Sequence, residues 1–356
     1  VRGMLLGLAL GETLGRARGA LPGSGPLRAG VSTQLACFTA EGVIRAQVRG
    51  NHKGICYAPG VVLHAYCRWA YLQGIEAEKM RHRWRPYGGA WPDGWLAGVP
   101  ALGERRGSAP ATVTALSRID EDEKRMATSS RGWHALTRGL PIAVTGMGGI
   151  AQAGRVAALT HGDTAAQAAT VHAAVLAHHC LSDSSAESGS SALNALRAGI
   201  SALTPSGRRG TDDEDTHLVA TGDEHSRLVA TFQHAVDGPA DAVRLARLAP
   251  DPTALSAMLG GLYVAASFPD RADLPVALRF AANAPDGESV ACVAGALLGA
   301  AHGVEALPVD LVSRHELAWA LDTLARDLVS ELDDSPSGSE YVKGWDPHWW
   351  DRYPGW

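Results

Sequence analysis

No two cysteines stand at C-x-x-C spacing: the five, Cys37, Cys56, Cys67, Cys180 and Cys292, are scattered, and several fall inside apolar helical pattern. They read as reduced core residues of a cytoplasmic protein rather than as a disulfide framework or a thiolate metal site. A block of Lys and Arg is also missing. With 32 basic and 37 acidic residues and a net charge of −5, the chain lacks the basic footprint of a nucleic-acid binder. No apolar run reaches the roughly 18 residues of a membrane helix, so no membrane partner is expected. Strand alternation is absent throughout, which leaves helices as the building material. The opening VRGMLLGLALG places one Arg before a short apolar run, as a signal peptide does, but its glycines keep helical spacing and it continues into Glu12. It reads as the first core helix.

What the chain has in abundance is Ala and Gly, which suits helices packed at short distance. Gly3, Gly7, Gly11 and Gly15 recur every four residues and so share one helical face, despite a cost of about 1 kcal/mol each against Ala. Something must pack hard on that face. Residues 16–30 are Gly/Pro-rich and read as a loop. Ser32 or Thr33 is placed to cap a helix carrying Leu35, Phe38, Gly42 and Ala46 on one face. Further helical pattern covers 61–74, 150–160, 164–181, 186–203, 223–236, 253–268, 271–283, 289–302 and 316–332. Three Trp with several Gly and Pro make 81–98 an irregular segment, either a packed lid or a binding loop. The charged run at 119–125 and the acidic cluster at 206–217 read as solvated loops. The end of the chain, YVKGWDPHWWDRYPGW, is too aromatic for a disordered tail. The expected organisation is one domain over 1–335 with the tail, 336–356, docked along it.

One stretch concentrates polar chemistry against an apolar background: APDGESVACVAGALLGAAHG, residues 284–303. The uncharged run after Glu288 reads as a buried helix, with Gly295 and Gly299 forming a small-residue stripe. Asp286, Glu288 and Ser289 then lie at its N-terminus, where free N–H groups and the dipole favour anions. Spacing alone leaves two readings open: a helix cap with an acidic first turn, or a cation or sugar site.

Four stretches in order resemble the ADP-ribosylglycohydrolase family, which includes the dinitrogenase reductase-activating glycohydrolases. GMLLGLALGETLG resembles the opening G-x-x-x-G-x-x-x-G-D-A-x-G helix; STQLACFTAEGVIRA resembles the helix after Thr-Asp-Asp-Thr; LTHGD matches the Leu-Thr-His-Gly-His/Asp junction; residues 284–303 resemble G-D-x-D-[ST] with its glycine helix. The resemblance covers nearly the whole chain. It implies an all-α fold, a single large orthogonal multi-helix domain, and hydrolysis of a glycosidic bond to ADP-ribose assisted by two Mg²⁺ ions. Carried across, Asp286, Glu288 and Ser289 correspond to metal ligands, with Glu288 in place of Asp. Gly30, Val31 and Ser32 stand where Thr, Asp and Asp are expected, so the resemblance leaves at most one weakly held Mg²⁺, or none. The glycine-rich loop before Pro141 is altered too: His134 and Ala135 replace glycines, and side chains there obstruct a diphosphate.

With these departures the resemblance implies an N-ribosyl hydrolase acting on a small-molecule ribosylated substrate, NAD-derived or related to ADP-ribose. Glu288 and Asp286 are the catalytic candidates, and Ser32, Thr33, Gly132, Arg138 and His161 the substrate-binding ones. For His161 the residues alone suggest a helix C-cap, and the resemblance adds a ribose contact. The competing reading is a catalytically inactive ADP-ribosyl-binding or scaffold protein on the same fold. Oligomeric state is not legible, and Glu12 is open between a cleft-facing acid and a capping one.

Overall fold

The structure, a computed structural model, describes residues 1–84, 91–119, 126–182, 191–204 and 220–355. Among these residues no strand forms beyond isolated bridges, and the chain is built from helices. Ten of them carry the site or the core around it: α1 (Arg2–Arg16), α2 (Val31–Lys53), α3 (Ala58–Leu72), α4 (His134–Gly139), α5 (Met147–Ala158), α6 (Thr164–Ser182), α7 (Ala254–Ser267), α8 (Leu274–Ala282), α9 (Gly287–His302) and α10 (Ala318–Asp333). No helix among the described residues is long and apolar enough to cross a membrane.

The centre of the molecule is the antiparallel seam between α1 and α9. Gly3 faces Gly299, Gly7 faces Gly295, Gly11 faces Ala291 and Gly15 faces Gly287, in steps of four residues on each helix. At each α1 glycine an added methyl would drive into a backbone carbonyl oxygen of α9. The glycine stripe is therefore a backbone-to-backbone contact, with the helix cost of four glycines offset by dispersion and Cα–H···O contacts that larger residues would forbid. The seam fixes register as well as distance. It sets the Glu12–Gly15 turn of α1 beside Gly287 and Glu288 at the start of α9.

On the far face of α9, Gly260 and Gly261 of α7 receive Val290 and Val293, while Leu278 of α8 reaches Gly295. The core thus wraps α9 with small and β-branched residues, and Val290 through Ala296 are all but inaccessible.

Four expectations are corrected in detail. Neither Ser32 nor Thr33 caps α2: the N-cap is Gly30 and the helix already begins at Val31. The supposed glycine-rich loop at 131–138 contains a helix, α4, because without its glycines His134 to Gly139 has no reason to stay open. The pattern over 271–283 divides into a 3₁₀ turn at Arg271–Asp273 followed by α8, which Pro275 initiates. The helix expected over 316–332, α10, starts at Ala318. The charged residues 120–125 and the acidic cluster at 206–217 lie outside the described residues, as do 85–90 of the Trp-rich segment and 183–190.

The described part of the Trp-rich segment is packed down. Asp93 accepts from Arg45 (2.9 Å) and Arg68 (3.4 Å), and both arginines also pair with the buried Glu41 at 3.0 and 2.8 Å. Trp91 stacks on His64 with ring centroids 5.0 Å apart. The C-terminal residues lie against α2 and α10: Tyr353 donates to Asp327 (2.6 Å), Arg352 pairs with the same carboxylate, and Trp350 meets the His52 ring edge-on at 4.6 Å.

Candidate active site

Helix α2 begins without a capping side chain of its own, so its first N–H groups need an acceptor from elsewhere. Glu12 of α1 supplies it. Its Oε2 accepts from Gly30 N (3.0 Å), Thr33 N (2.9 Å) and the Thr33 hydroxyl, and its Oε1 accepts from Ser32 N (2.7 Å). The carboxylate is wholly buried, at the positive end of a 23-residue helix. A methyl on Gly30 would fall on the Glu12 carboxyl group, so glycine at the N-cap is what lets the acid seat.

Across the seam from Glu12, Asp286 is the N-cap of α9. Its Oδ2 is buried without a hydrogen-bond partner; burial raises its pKa, against the Ser289 hydroxyl and the Arg18 charge, and the Asp251 charge adds a smaller push upward. Ser289 is fully buried and its hydroxyl donates to the Asp286 backbone carbonyl (3.1 Å). Glu288 is partly exposed and forms no ion pair among the described residues. Burial, then the Glu12 charge, then that of Asp286 push its pKa up to about 7, against the pull of Arg16. That places one carboxyl group near the pH at which proton transfer in either direction is efficient. Asp251 is ionised more readily than usual, held by the hydroxyls of Ser256 and Thr253. It lines a cavity of about 390 Å³ with Arg131, Asp163, Arg247, Thr253 and Ser256.

The remaining expected residues separate into two groups. Ser32 and Thr33 lie beside the corner through Glu12, yet both are wholly buried, and the Thr33 hydroxyl is used by that acid. Gly132 is half-buried and bridges to Thr253, and a methyl on it would touch His161 Nε2 at 3.5 Å. His161 is buried, with Nδ1 2.7 Å from the Thr160 hydroxyl; burial, Arg138 and His134 hold it neutral, down to about 3. Arg138 is drawn away from the corner. It is fully buried under the Tyr66 ring (4.5 Å) and donates to the Thr112 and Thr160 hydroxyls and the Val156 carbonyl.

The family model for ADP-ribosylglycohydrolase matches residues 1–337. The chain belongs to the ADP-ribosylglycohydrolase family. A solved structure described as an ADP-ribosylglycohydrolase-related protein complex shares its fold at a TM-score of 0.55 and 21% identity, covering 92% of this chain and 95% of that one. No curated protein sequence matches it.

Membership in the ADP-ribosylglycohydrolase family makes a divalent-cation pair the group to test against the residues present. Such ions demand shells of oxygen ligands rich in carboxylate. The start of α2 provides Gly30, Val31 and Ser32, and the one carboxylate there, Glu12, has both oxygens committed to N–H donors. Among the described residues no three His, Cys, Asp or Glu side chains are grouped to hold a metal ion. Among the described residues, the donors at this corner do not fit a pair of ions. Sequence reasoning weighed His134 only as an obstruction, and it missed that Ser32 and His134, 102 positions apart, meet with Oγ and Nδ1 at 3.0 Å. No local signal exposes a pair separated so far in the chain.

Proposed function

We propose that the chain hydrolyses the N-glycosidic bond of a ribosylated small molecule, with Glu288 as the group that takes the proton from water and Asp286 as an acceptor for sugar hydroxyls. The observation that carries this reading is the pair of carboxyl groups at the start of α9, one with an orphaned buried oxygen and the other raised to about 7 without an ion-pair partner among the described residues. An orphaned carboxylate oxygen calls for a donor, and a ribose hydroxyl is one.

In the proposed step, the C1′–N bond breaks and its electron pair leaves with the nitrogen. The C1′–O bond to water forms, and the water proton passes to Glu288. A carboxylate beside an oxocarbenium-like centre also stabilises its positive charge. A cationic, pyridinium-like leaving group departs neutral, so neither a general acid nor a Lewis acid is required at the nitrogen. An O-linked ADP-ribosyl-serine, whose alkoxide leaving group needs a proton, suits this step less well than an N-riboside with a cationic leaving group.

The sealed start of α2 favours a second reading, an inactive binder of ADP-ribosyl groups, because one wall of the corner is used up in internal hydrogen bonds. Incubation with nicotinamide riboside, ADP-ribosyl-arginine and an ADP-ribosyl-serine peptide, in Mg²⁺ or EDTA, separates the two by mass spectrometry of released ribose or ADP-ribose. Cleavage of the riboside in EDTA is the expected result. Absence of turnover on every substrate, with ADP-ribose still bound, would replace the first reading by the second.

A further inference from the structure

A cavity of about 270 Å³ lies between α2, α3, α5 and the end of α10. It stands apart from the acidic corner: Val43, the first residue of α2 to line it, is nearly three turns, or about 15 Å, beyond Thr33. Val43, Val62, Ile142, Val156 and Leu332 make its walls apolar, and among the described residues none that lines it is charged or aromatic. An ion entering there would shed its water with no counter-charge in the walls, so they select a neutral ligand. At the roughly 30 Å³ that one water takes up in the liquid, the space suits about nine non-hydrogen atoms.

Two side-chain amides interrupt the apolar walls, and the oxygen of each lacks a donor. Gln47 Nε2 donates to Asn51 Oδ1 (3.1 Å), and Asn51 Nδ2 donates in turn to Glu331 Oε1 (3.0 Å), which also accepts from the Ser337 hydroxyl (2.7 Å). The run ends on an acceptor, so its order fixes both amides, and Gln47 Oε1 is left with no donor among the described residues. Gln152 makes no hydrogen bond to any described residue, and its Oε1 is buried without a partner. Thr145 lines the cavity too, but its hydroxyl is committed to the Ile142 carbonyl (2.7 Å). Two oxygens without donors call for two protons. An alcohol supplies one, and an amine supplies them as a cation, which the walls exclude. A primary amide supplies both from one neutral nitrogen.

We propose that this cavity binds a small neutral aliphatic molecule through a primary amide, whose two N–H groups go to Gln47 Oε1 and Gln152 Oε1 while its hydrocarbon body fills the apolar walls. The site is independent of Glu288 and of the proposed hydrolysis. Cys56 is exposed and lines the same cavity, a thiol at its mouth. The other four cysteines are buried, so Cys56 alone reports on that mouth.

The test is the rate at which N-ethylmaleimide alkylates the full chain, followed by intact mass spectrometry, with cyclohexanecarboxamide as the probe. Cys56→Ser should abolish the adduct. The amide is expected to slow alkylation of wild type saturably, with half-protection at about 0.1–1 mM for a ligand of this size. Cyclohexanecarboxylate, which is charged, and cyclohexyl methyl ketone, which has no N–H, should protect at least about tenfold more weakly. Gln152→Leu and Gln47→Leu should each weaken protection about tenfold, the loss of one hydrogen bond. Because Gln152 bonds to nothing described in the protein, Gln152→Leu should melt no lower than wild type, which keeps that variant informative. No protection at saturation, equal protection by the ketone or the carboxylate, or protection that folded Gln152→Leu leaves unchanged overturns the proposal. Protection in a protein that cleaves no riboside would leave it standing and remove the hydrolysis; cleavage without protection would do the reverse.

Discussion

Replacing Glu12 by Gln keeps its shape and removes its charge, and the consequence can be worked from its partners. The carboxylate serves three backbone N–H groups and one hydroxyl, all buried. An amide has one acceptor oxygen. With that oxygen at the Oε2 position, Gly30 and Thr33 keep an acceptor, but Ser32 N faces an NH₂ group instead of Oε1. The loss is one charge-assisted bond of about 1.5–3 kcal/mol, a donor–donor contact, and the weaker field of a neutral group at a helix N-terminus. Relief of repulsion with Glu288 returns part of this. A net loss of about 2–4 kcal/mol is expected at pH 7, a large share of the roughly 5–15 kcal/mol that holds a typical domain together. Urea unfolding at matched pH measures it, with an unchanged m-value showing that the denatured state is not the cause. The same variant should lower the pKa of Glu288, since the Glu12 charge is among the causes of its elevation. A stability within about 0.5 kcal/mol of wild type would refute Glu12 as the cap of α2.

Other outcomes follow from the same contacts. Glu288 binds its proton more tightly folded (about 7) than its ordinary value of 4.5 allows, so its contribution to stability is intact below pH 4.5 and is lost as pH rises through 7. Glu288→Gln should therefore match wild type near pH 4.5 and exceed it above pH 7 by on the order of 2–3 kcal/mol, as read from denaturation across pH. Gly7→Ala should destabilise by about 2 kcal/mol, because the methyl meets the Gly295 backbone and overpacking outweighs the helix propensity gained; Gly148→Ala, in a helix with nothing nearby, should stabilise by up to about 1 kcal/mol. Melting curves of the pair check the sign. Arg138→Lys should cost about 2–4 kcal/mol of stability while leaving KM of any cleaved substrate unchanged, since Arg138 serves the Thr112 and Thr160 hydroxyls inside the core.

The glycine stripes of α1 and α9 were legible as close-packing faces because a repeat of four on a helix has one physical meaning. Their pairing with each other was not, because nothing local says which glycine face seeks which. The Asp286 and Glu288 corner was visible as two acids at a helix start, and the structure adds an unpartnered buried oxygen on one and, on the other, a carboxyl group crowded by Glu12. Glu12 itself could not be assigned from sequence, since a cap delivered from another helix leaves no trace in the capped segment beyond the absence of a side-chain cap at Gly30. Arg138 is a different case: its match to the family's glycine-rich loop suggests a ligand contact, while its burial beneath Tyr66 depends on a helix far away in the chain. The meeting of Ser32 with His134 belongs to the same class, a tertiary pairing of two residues that separately looked like losses.

In the proposed reaction Glu288 is the group that activates water without a cation. Release of ribose from nicotinamide riboside, followed by mass spectrometry in EDTA for wild type and Glu288→Gln, tests it most directly. The expected result is turnover by wild type and a fall of about 10²–10⁴-fold in the variant. Equal rates in the two proteins, or turnover by wild type only when Mg²⁺ is restored, would contradict it.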